Sequence, residues 1–371
     1  MAEIDRLLVY LKEKGGSDLH LATGLEPRIR RHGSLEPVEG WTTLDAARVS
    51  ALLSSLTTPG QWGEYERAGD LDFSYGLEGI GRFRVNYLYQ ENGPGAVFRI
   101  IPEKIVPLED LKLPAAVEKL AHMTQGLVLV TGPTGSGKST TLASIIDTIN
   151  ATYARHIVTI EDPVEFVHQN RKSVVSHREI GTHTNGFAPA LRAAVRQDAD
   201  VVLVGEMRDL ETIFMAITAA EMGVLVFATL HTNNCAKTID RIIDAFPAEQ
   251  QEQVRVTLSE SVTAILSQLL IPAADGQGRH AAIELLLKTN GLPNVIREGN
   301  TPMLYSIIQA GKRDGMQTMD EALLEHWKAG RISQHDALAR AADKTKFEAP
   351  QQAATEQPST PAKAVPPAKA A

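Results

Sequence analysis

The sequence predicts an α/β protein in two parts. A small α+β domain comes first, followed by a doubly wound parallel sheet with a helical carboxy-terminal portion. Three observations carry this prediction. Short apolar runs recur at Leu127–Thr131, Ile157–Ile160, Val201–Val204 and Val224–Thr229, mostly β-branched, as suits strands buried on both faces. Stripes at helical spacing separate these runs, and strand–helix alternation of this kind builds parallel sheets. A glycine-rich motif directly follows the first run, where such sheets bind ligands.

Taken in order, residues 1–105 form the first domain. They open on an amphipathic helix, MAEIDRLLVYLKEKGG, and continue in short alternating segments. In GRFRVNYLY, Phe83, Val85, Tyr87 and Tyr89 share one face and Arg82, Arg84 and Asn86 the other, the period-2 signature of a strand. Glu91–Gly95 reads as a turn into a second antiparallel strand at residues 96–101. Residues 106–124 are a linker with several prolines. The sheet domain spans 125–345. Its helices are marked by Leu142, Ile145, Ile146 and Ile149, then by Phe187, Leu191 and Val195, then by Leu210, Ile213, Ile217 and Ala220. From Pro247 the pattern reads as wholly helical, with Val254, Leu258, Val262, Ile265 and Leu269 in one long stripe. Residues 346–371 are rich in Ala, Pro and Gln, too poor in large apolar groups to offset ordering entropy, and are expected to be a disordered tail.

Composition narrows the classes. A chain of 371 residues with 43% hydrophobic and 22% charged residues is globular and long enough for two cores. A formal charge of −8 disfavours a dedicated nucleic-acid binder, which needs a basic surface. One cysteine, Cys235, excludes internal disulfides and four-cysteine zinc sites, and is read as packing. Neither a secretory signal nor a run of about 18 apolar residues is present. The expectation is a cytoplasmic protein that meets a membrane only through partners.

The chemistry begins at Gly132-Pro133-Thr134-Gly135-Ser136-Gly137-Lys138-Ser139, followed by Thr140. This is G-x-x-x-x-G-K-[ST] between an apolar strand and an amphipathic helix. Glycines let backbone N–H groups converge on phosphates, and the helix N-terminus adds a favourable dipole. Lys138 should reach the β- and γ-phosphates of ATP, and the Ser139 hydroxyl should sit on Mg²⁺. Three further segments end strands of the same sheet: Thr159–Glu165 with its acids, Gly205–Asp209, and Thr229-Leu230-His231-Thr232-Asn233. Topology brings their polar residues to one edge. VVLV ends in Gly205-Glu206 where magnesium-binding strands usually end in Asp.

The spacing of these segments resembles that of the secretion-type AAA-like ATPases, the motors of type II secretion, type IV pili and type IV secretion. GPTGSGKST looks like their Walker A segment, TIEDPVE their aspartate box, VVLVGEMRD their atypical Walker B and FATLHTNNCAKTIDR their histidine box. The likeness covers residues 1–345 and is strongest to the pilus-retraction branch, through GGSDLHLATG, GEMRDLETI and GMQTMDEAL. It implies a PAS-like first domain and a RecA-like P-loop domain. It also implies that Glu206 orders Mg²⁺ and that Glu165 polarises the attacking water, with Glu161 and Asp162 as competitors for the latter role. His231 would sense the γ-phosphate.

Members of this family work as hexameric rings, so the resemblance implies a homohexamer acting on an inner-membrane pilus platform protein, alongside a second retraction ATPase in some cells. Arg82, Arg84 and Arg99 would approach the nucleotide from the first domain, with Arg208 and Arg279 as further contacts. The alternative for the first two is a solvated strand face. The retraction-associated AIRNLIRE segment corresponds to residues 291–298. There Asn294, Ile296, Arg297 and Glu298 match, while Gly291 and Pro293 depart. Proline fits only near a helix start, so a shorter helix is expected. Assembly motors of the pilus or type II secretion class, an accessory subunit of low turnover and a nucleic-acid motor are the competing readings.

Overall fold

The computed structural model describes residues 2–101 and 104–347. The first part contains α1 (Glu3–Glu13), β1 (Asp18–Ala22), β2 (Arg28–Arg31), β3 (Ser34–Pro37), α2 (Ala46–Ser54), α3 (Pro59–Ala68), β4 (Asp70–Leu77), β5 (Gly81–Gln90) and β6 (Gly93–Ile101). Its six strands form one antiparallel sheet in the order β3-β2-β1-β6-β5-β4. Ile4, Leu7, Leu8 and Leu11 lie on one face of α1 and are fully buried, packed with Phe83, Val85, Tyr87 and Phe98 from the sheet.

Two details differ from expectation. Tyr89 continues the alternation in sequence but is 68% exposed, although its amide is tied to the Gly69 carbonyl at the carboxyl cap of α3. The β5–β6 turn is only Glu91-Asn92, with Gln90 opposite Gly93. Gly93-Pro94-Gly95 therefore belongs to the strand. A Cβ on Gly95 would stand 3.0 Å from the Leu21 carbonyl, so close strand approach, not turn conformation, selects glycine there.

The second part contains α4 (Glu118–Ala121), β7 (Gly126–Thr131), α5 (Lys138–Thr152), β8 (His156–Glu161), β9 (Val174–Glu179), α6 (Phe187–Val195), β10 (Val201–Val204), α7 (Leu210–Glu221), β11 (Leu225–Leu230), α8 (Cys235–Asp244) and α9 (Ala248–Ser261). There follow β12 (Val262–Pro272), β13 (Arg279–Leu287), α10 (Leu292–Arg297), α11 (Leu304–Ala310), α12 (Met319–Lys328) and α13 (Gln334–Arg340). The sheet order is β13-β12-β7-β11-β10-β8-β9, parallel throughout except for antiparallel β13. All four expected strands are present. β11 separates the P-loop strand β7 from β10, so the chain crosses over to reach each neighbour.

The long helical stripe after Pro247 is corrected. Val254 and Leu258 are in α9, but the helix stops at Ser261; Val262, Ile265 and Leu269 are in β12, beside β7. The cause is burial on both faces. Val262, Ala264, Ile265 and Leu266 are all fully buried, and a continuous apolar run contains a 3–4 spacing as readily as a period of two.

The stretch read as a linker also has structure. Val117, Leu120 and Ala121 are fully buried in the sheet-domain core. Pro293 occupies the first turn of α10, a six-residue helix where the missing N–H costs nothing. The chain stays packed to Phe347, which is fully buried beside Trp327. The tail expected beyond 345 otherwise lies outside the described residues.

Candidate nucleotide site

Parallel registry fixes one edge of the sheet. Val204 stands opposite both Ile160 and Ala228, and Thr131 opposite Leu230. Gly132, Glu161, Gly205-Glu206 and His231 therefore emerge together at the strands' carboxyl ends.

The loop between β7 and α5 needs its glycines for separate reasons. A Cβ on Gly132 would lie 2.3 Å from the Gln268 carbonyl, and one on Gly137 would lie 2.8 Å from Gln268 Nε2. Gly135 meets nothing but has φ of +77°, which an L side chain rarely adopts. Pro133, Thr134 and Gly135 are exposed at the tip, Ser136 is buried, and Ser139 and Thr140 follow Lys138 into α5. The buried Ser136 hydroxyl has no hydrogen-bond partner among the described residues. A phosphate oxygen would supply one.

Lys138 donates from Nζ to the carbonyls of Gly132 (2.9 Å) and Pro133 (3.1 Å). Burial lowers its pKa, and the charges of Glu206 and then Glu165 act against that shift. These are the two acids that the resemblance links to metal and water, with Glu161 and Asp162 as competitors for the latter. Glu206 accepts from His231 Nε2 at 2.9 Å and from Arg208 Nη2 at 2.7 Å. Burial raises the Glu206 pKa, but the Arg208 hydrogen bond and charge, together with His231, hold the carboxyl below its usual value. Asp209, by contrast, caps α7 through Thr212.

The acids of the aspartate box separate by environment. Glu161 is 9% exposed and burial pushes its pKa up to about 7, despite a hydrogen bond from Thr159 and one from the Glu165 amide. It lines a small cavity with Ser139, Gly205 and Thr229. Asp162 is exposed and Glu165 is half-buried.

The first-domain arginines face different partners. Arg82 binds Glu179 at 3.0 Å and Ser74 at 2.7 Å. Arg99 is held by Asp18 at 2.7 Å. Exposed Arg84 stands opposite Arg99 in the sheet and lines a cleft of about 340 Å³ with Asp72, Asp162 and Glu179, between the two parts of the chain. Arg279 reaches the Gly135 carbonyl at 3.4 Å. Cys235 is wholly buried, as expected.

Sequence reasoning missed Gln268. From β12 its Nε2 donates to the Ser136 carbonyl at 2.8 Å, and its Oε1 accepts from Thr141 at 2.9 Å. It buttresses the loop from behind and became visible only once β12 proved to be a strand. Also missed was a cleft of about 490 Å³ beside Gly137 and Thr140, walled by Asp110, Arg279, His280 and Arg331. It is roomy enough for a nucleoside next to the phosphate loop.

Fold and site together define a RecA-like P-loop nucleotide-binding protein carrying an amino-terminal α+β domain. The chain belongs to the type II/IV secretion system protein family, whose sequence profile matches residues 14–346. It is 47% identical over 339 residues to the type IV pilus retractation ATPase PilT of Pseudomonas aeruginosa, a match covering 91% of this chain and 98% of that protein. Its identity to a twitching motility protein of Neisseria gonorrhoeae is 49% over 315 residues, covering 85% of this chain and 84% of that one. A crystal structure of the pilus retraction motor PilT with bound ADP superposes with a TM-score of 0.85 at 44% identity, covering 93% of this chain and 98% of the other.

Proposed function

We propose that this chain is a Mg²⁺-dependent ATPase that works as a homohexameric motor and powers type IV pilus retraction, and with it twitching motility. The observation that carries the reading is the registry that brings the phosphate loop, Glu161, Glu206 and His231 to one edge of the sheet, with Glu206 hydrogen-bonded to His231. The likeness to retraction motors supports the biological half.

In this reading the loop amides and Lys138 bind the phosphates, and the wall formed by Asp110 and Arg279 takes the nucleoside. The Ser139 hydroxyl and the carboxylate of Glu206, the latter through water, are hard oxygen donors suited to Mg²⁺, which when bound neutralises developing phosphate charge. Glu165 polarises the attacking water. His231, hydrogen-bonded to Glu206, reports the presence of the γ-phosphate. Arg82, Arg84 and Arg99 are first-domain charges that reach the nucleotide as the domains close.

Support for an oligomer comes from Leu210 and Phe214 on α7 and Met222 at its carboxyl cap, large apolar side chains that stay 39–66% exposed. Exposed apolar side chains gathered at one helix are typical of a contact surface. Among the described residues no helix is long and apolar enough to cross a membrane. We assign the protein to the cytoplasmic face of an inner-membrane pilus platform, with a second retraction ATPase as a further partner.

The deciding experiment counts surface pili and measures surface motility in cells lacking this chain. Abundant pili without motility are expected. Bald cells would make it an assembly motor.

A further inference from the structure

Glu179 closes β9 directly beside Glu161, its register partner on β8. Its side chain is only 5% exposed, yet it gathers donors from both parts of the chain. From the first domain, Ser74 Oγ donates to both carboxylate oxygens at 2.7 and 2.8 Å, and Arg82 Nη2 donates at 3.0 Å. From the second, the Val164 amide donates at 3.0 Å and Thr182 Oγ1 at 3.3 Å. Arg82 also donates to Ser74 Oγ, so the two first-domain donors form one unit. Val164 immediately precedes Glu165.

We infer that Glu179 is a positioning residue through which the first domain sets the loop carrying Glu165. A carboxylate this buried is costly to leave half-paired. When the first domain withdraws, Ser74 and Arg82 leave together, and the remaining charge rests on Val164 and Thr182. The carboxylate must then turn toward new donors or water, and the Val164 amide moves with it or loses its partner. Domain position and loop position are therefore not independent. Arg82 cannot serve two partners at once, so pairing with Glu179 and contact with a phosphate are alternatives for one side chain. This gives domain motion a route to hydrolysis that passes through a single carboxylate.

The inference rests on Glu165 being the base, and the test separates the two. In the full-length protein, amide exchange of the segment containing Val164 is measured together with kcat and KM for ATP. The variants are Ser74→Ala, Glu179→Gln, Glu179→Ala and the double variant Ser74→Ala/Glu179→Ala. Among the described residues the Ser74 hydroxyl is hydrogen-bonded to Glu179 and Arg82 alone, and only Glu179 links it to the Val164 amide. Its replacement should still speed exchange at Val164 severalfold and lower kcat about tenfold, the factor expected from one hydrogen bond to a charged group, with KM within about twofold. Glu179→Gln should retain more turnover than Glu179→Ala. In the Glu179→Ala background the Ser74 substitution should add nothing.

Unchanged exchange in Ser74→Ala overturns the joint, and so does a full, additive Ser74 effect when Glu179 is already gone. Faster exchange with unaltered kcat upholds the joint and instead overturns Glu165 as the base.

Discussion

At Gly205 a side chain would be tight. A Cβ would lie 3.3 Å from both Glu161 Cα and the Ile160 carbonyl, so β10 sits most closely against β8 with glycine here, and Glu206 stands two residues beyond the strand end. Gly205→Ala should push the two strand ends apart and lower kcat more than nucleotide affinity, read by steady-state kinetics beside equilibrium binding. Lys138→Ala should abolish ATP binding, measured with a fluorescent analogue. Glu165→Gln should bind ATP but lose about 10²–10⁴-fold in kcat, the usual contribution of a positioned base; near-normal turnover would move that role to Glu161 or Asp162.

The raised pKa of Glu161, about 7 against a usual 4.5, has a pH consequence. Below 4.5 it is protonated folded or unfolded and carries no penalty. Between 4.5 and 7 only the unfolded chain ionises, so stability falls as pH rises, by up to about 3 kcal/mol in total. Glu161→Gln cannot titrate. Its Tm relative to wild type should therefore rise between pH 5 and pH 8, and a constant difference would refute the buried-acid reading. The P-loop, Glu206 and His231 were legible in sequence because short motifs fix their neighbours in the chain. Gln268 and Glu179 were not, since Ser136 lies 132 residues from Gln268, Ser74 lies 105 and Arg82 97 residues from Glu179, and neither belongs to a motif.

Among the elements, strands buried on two faces were found wherever glycine or polar residues bounded them. β12 was not, because α9 runs into it at Ser261–Val262 without a break. β9 escaped for the opposite reason: VVSHRE has no apolar alternation, and it forms as the outermost strand paired to β8. The prediction that belongs to β12 concerns its grip on the phosphate loop. Gln268→Ala strips hydrogen bonds from the Ser136 carbonyl and the Thr141 hydroxyl, and unpaired buried groups cost about 1–3 kcal/mol each. Calorimetry should show ADP affinity weakened roughly tenfold and Tm lowered, whereas Gln268→Glu, which keeps the acceptor for Thr141, should recover part of both. Undiminished affinity in Gln268→Ala would mean that the loop keeps its shape without β12.

For the molecule as a whole, the two-domain division was visible because period-2 patterning in the first hundred residues gives way to strand–helix alternation. The packing of residues 344–347 was less visible, since a packed turn of four residues has no periodicity. Lys344–Phe347 forms such a turn: Phe347 is fully buried with Ile271, Met319 and Leu323, and its carbonyl accepts from Gln334 Nε2 at 2.6 Å. Lys346 meanwhile reaches Tyr305 OH at 3.1 Å and Asp320 at 3.8 Å. These contacts join residues 344–347 to α11, α12 and α13, which pack with β12 and the edge strand β13. Two truncations distinguish this packed end from the residues beyond it. A chain ending at Phe347 should hydrolyse ATP at the full-length rate and keep its Tm. A chain ending at Thr345 loses a buried phenylalanine, worth about 3–5 kcal/mol in a core, and its Tm should fall by about 5 °C or more. That loss should reach the phosphate loop, because the helices it loosens brace the strand that carries Gln268. Equal Tm for the two truncations would show that Phe347 adds nothing to the fold, and lost activity in the longer one would give residues 348–371 a part in hydrolysis.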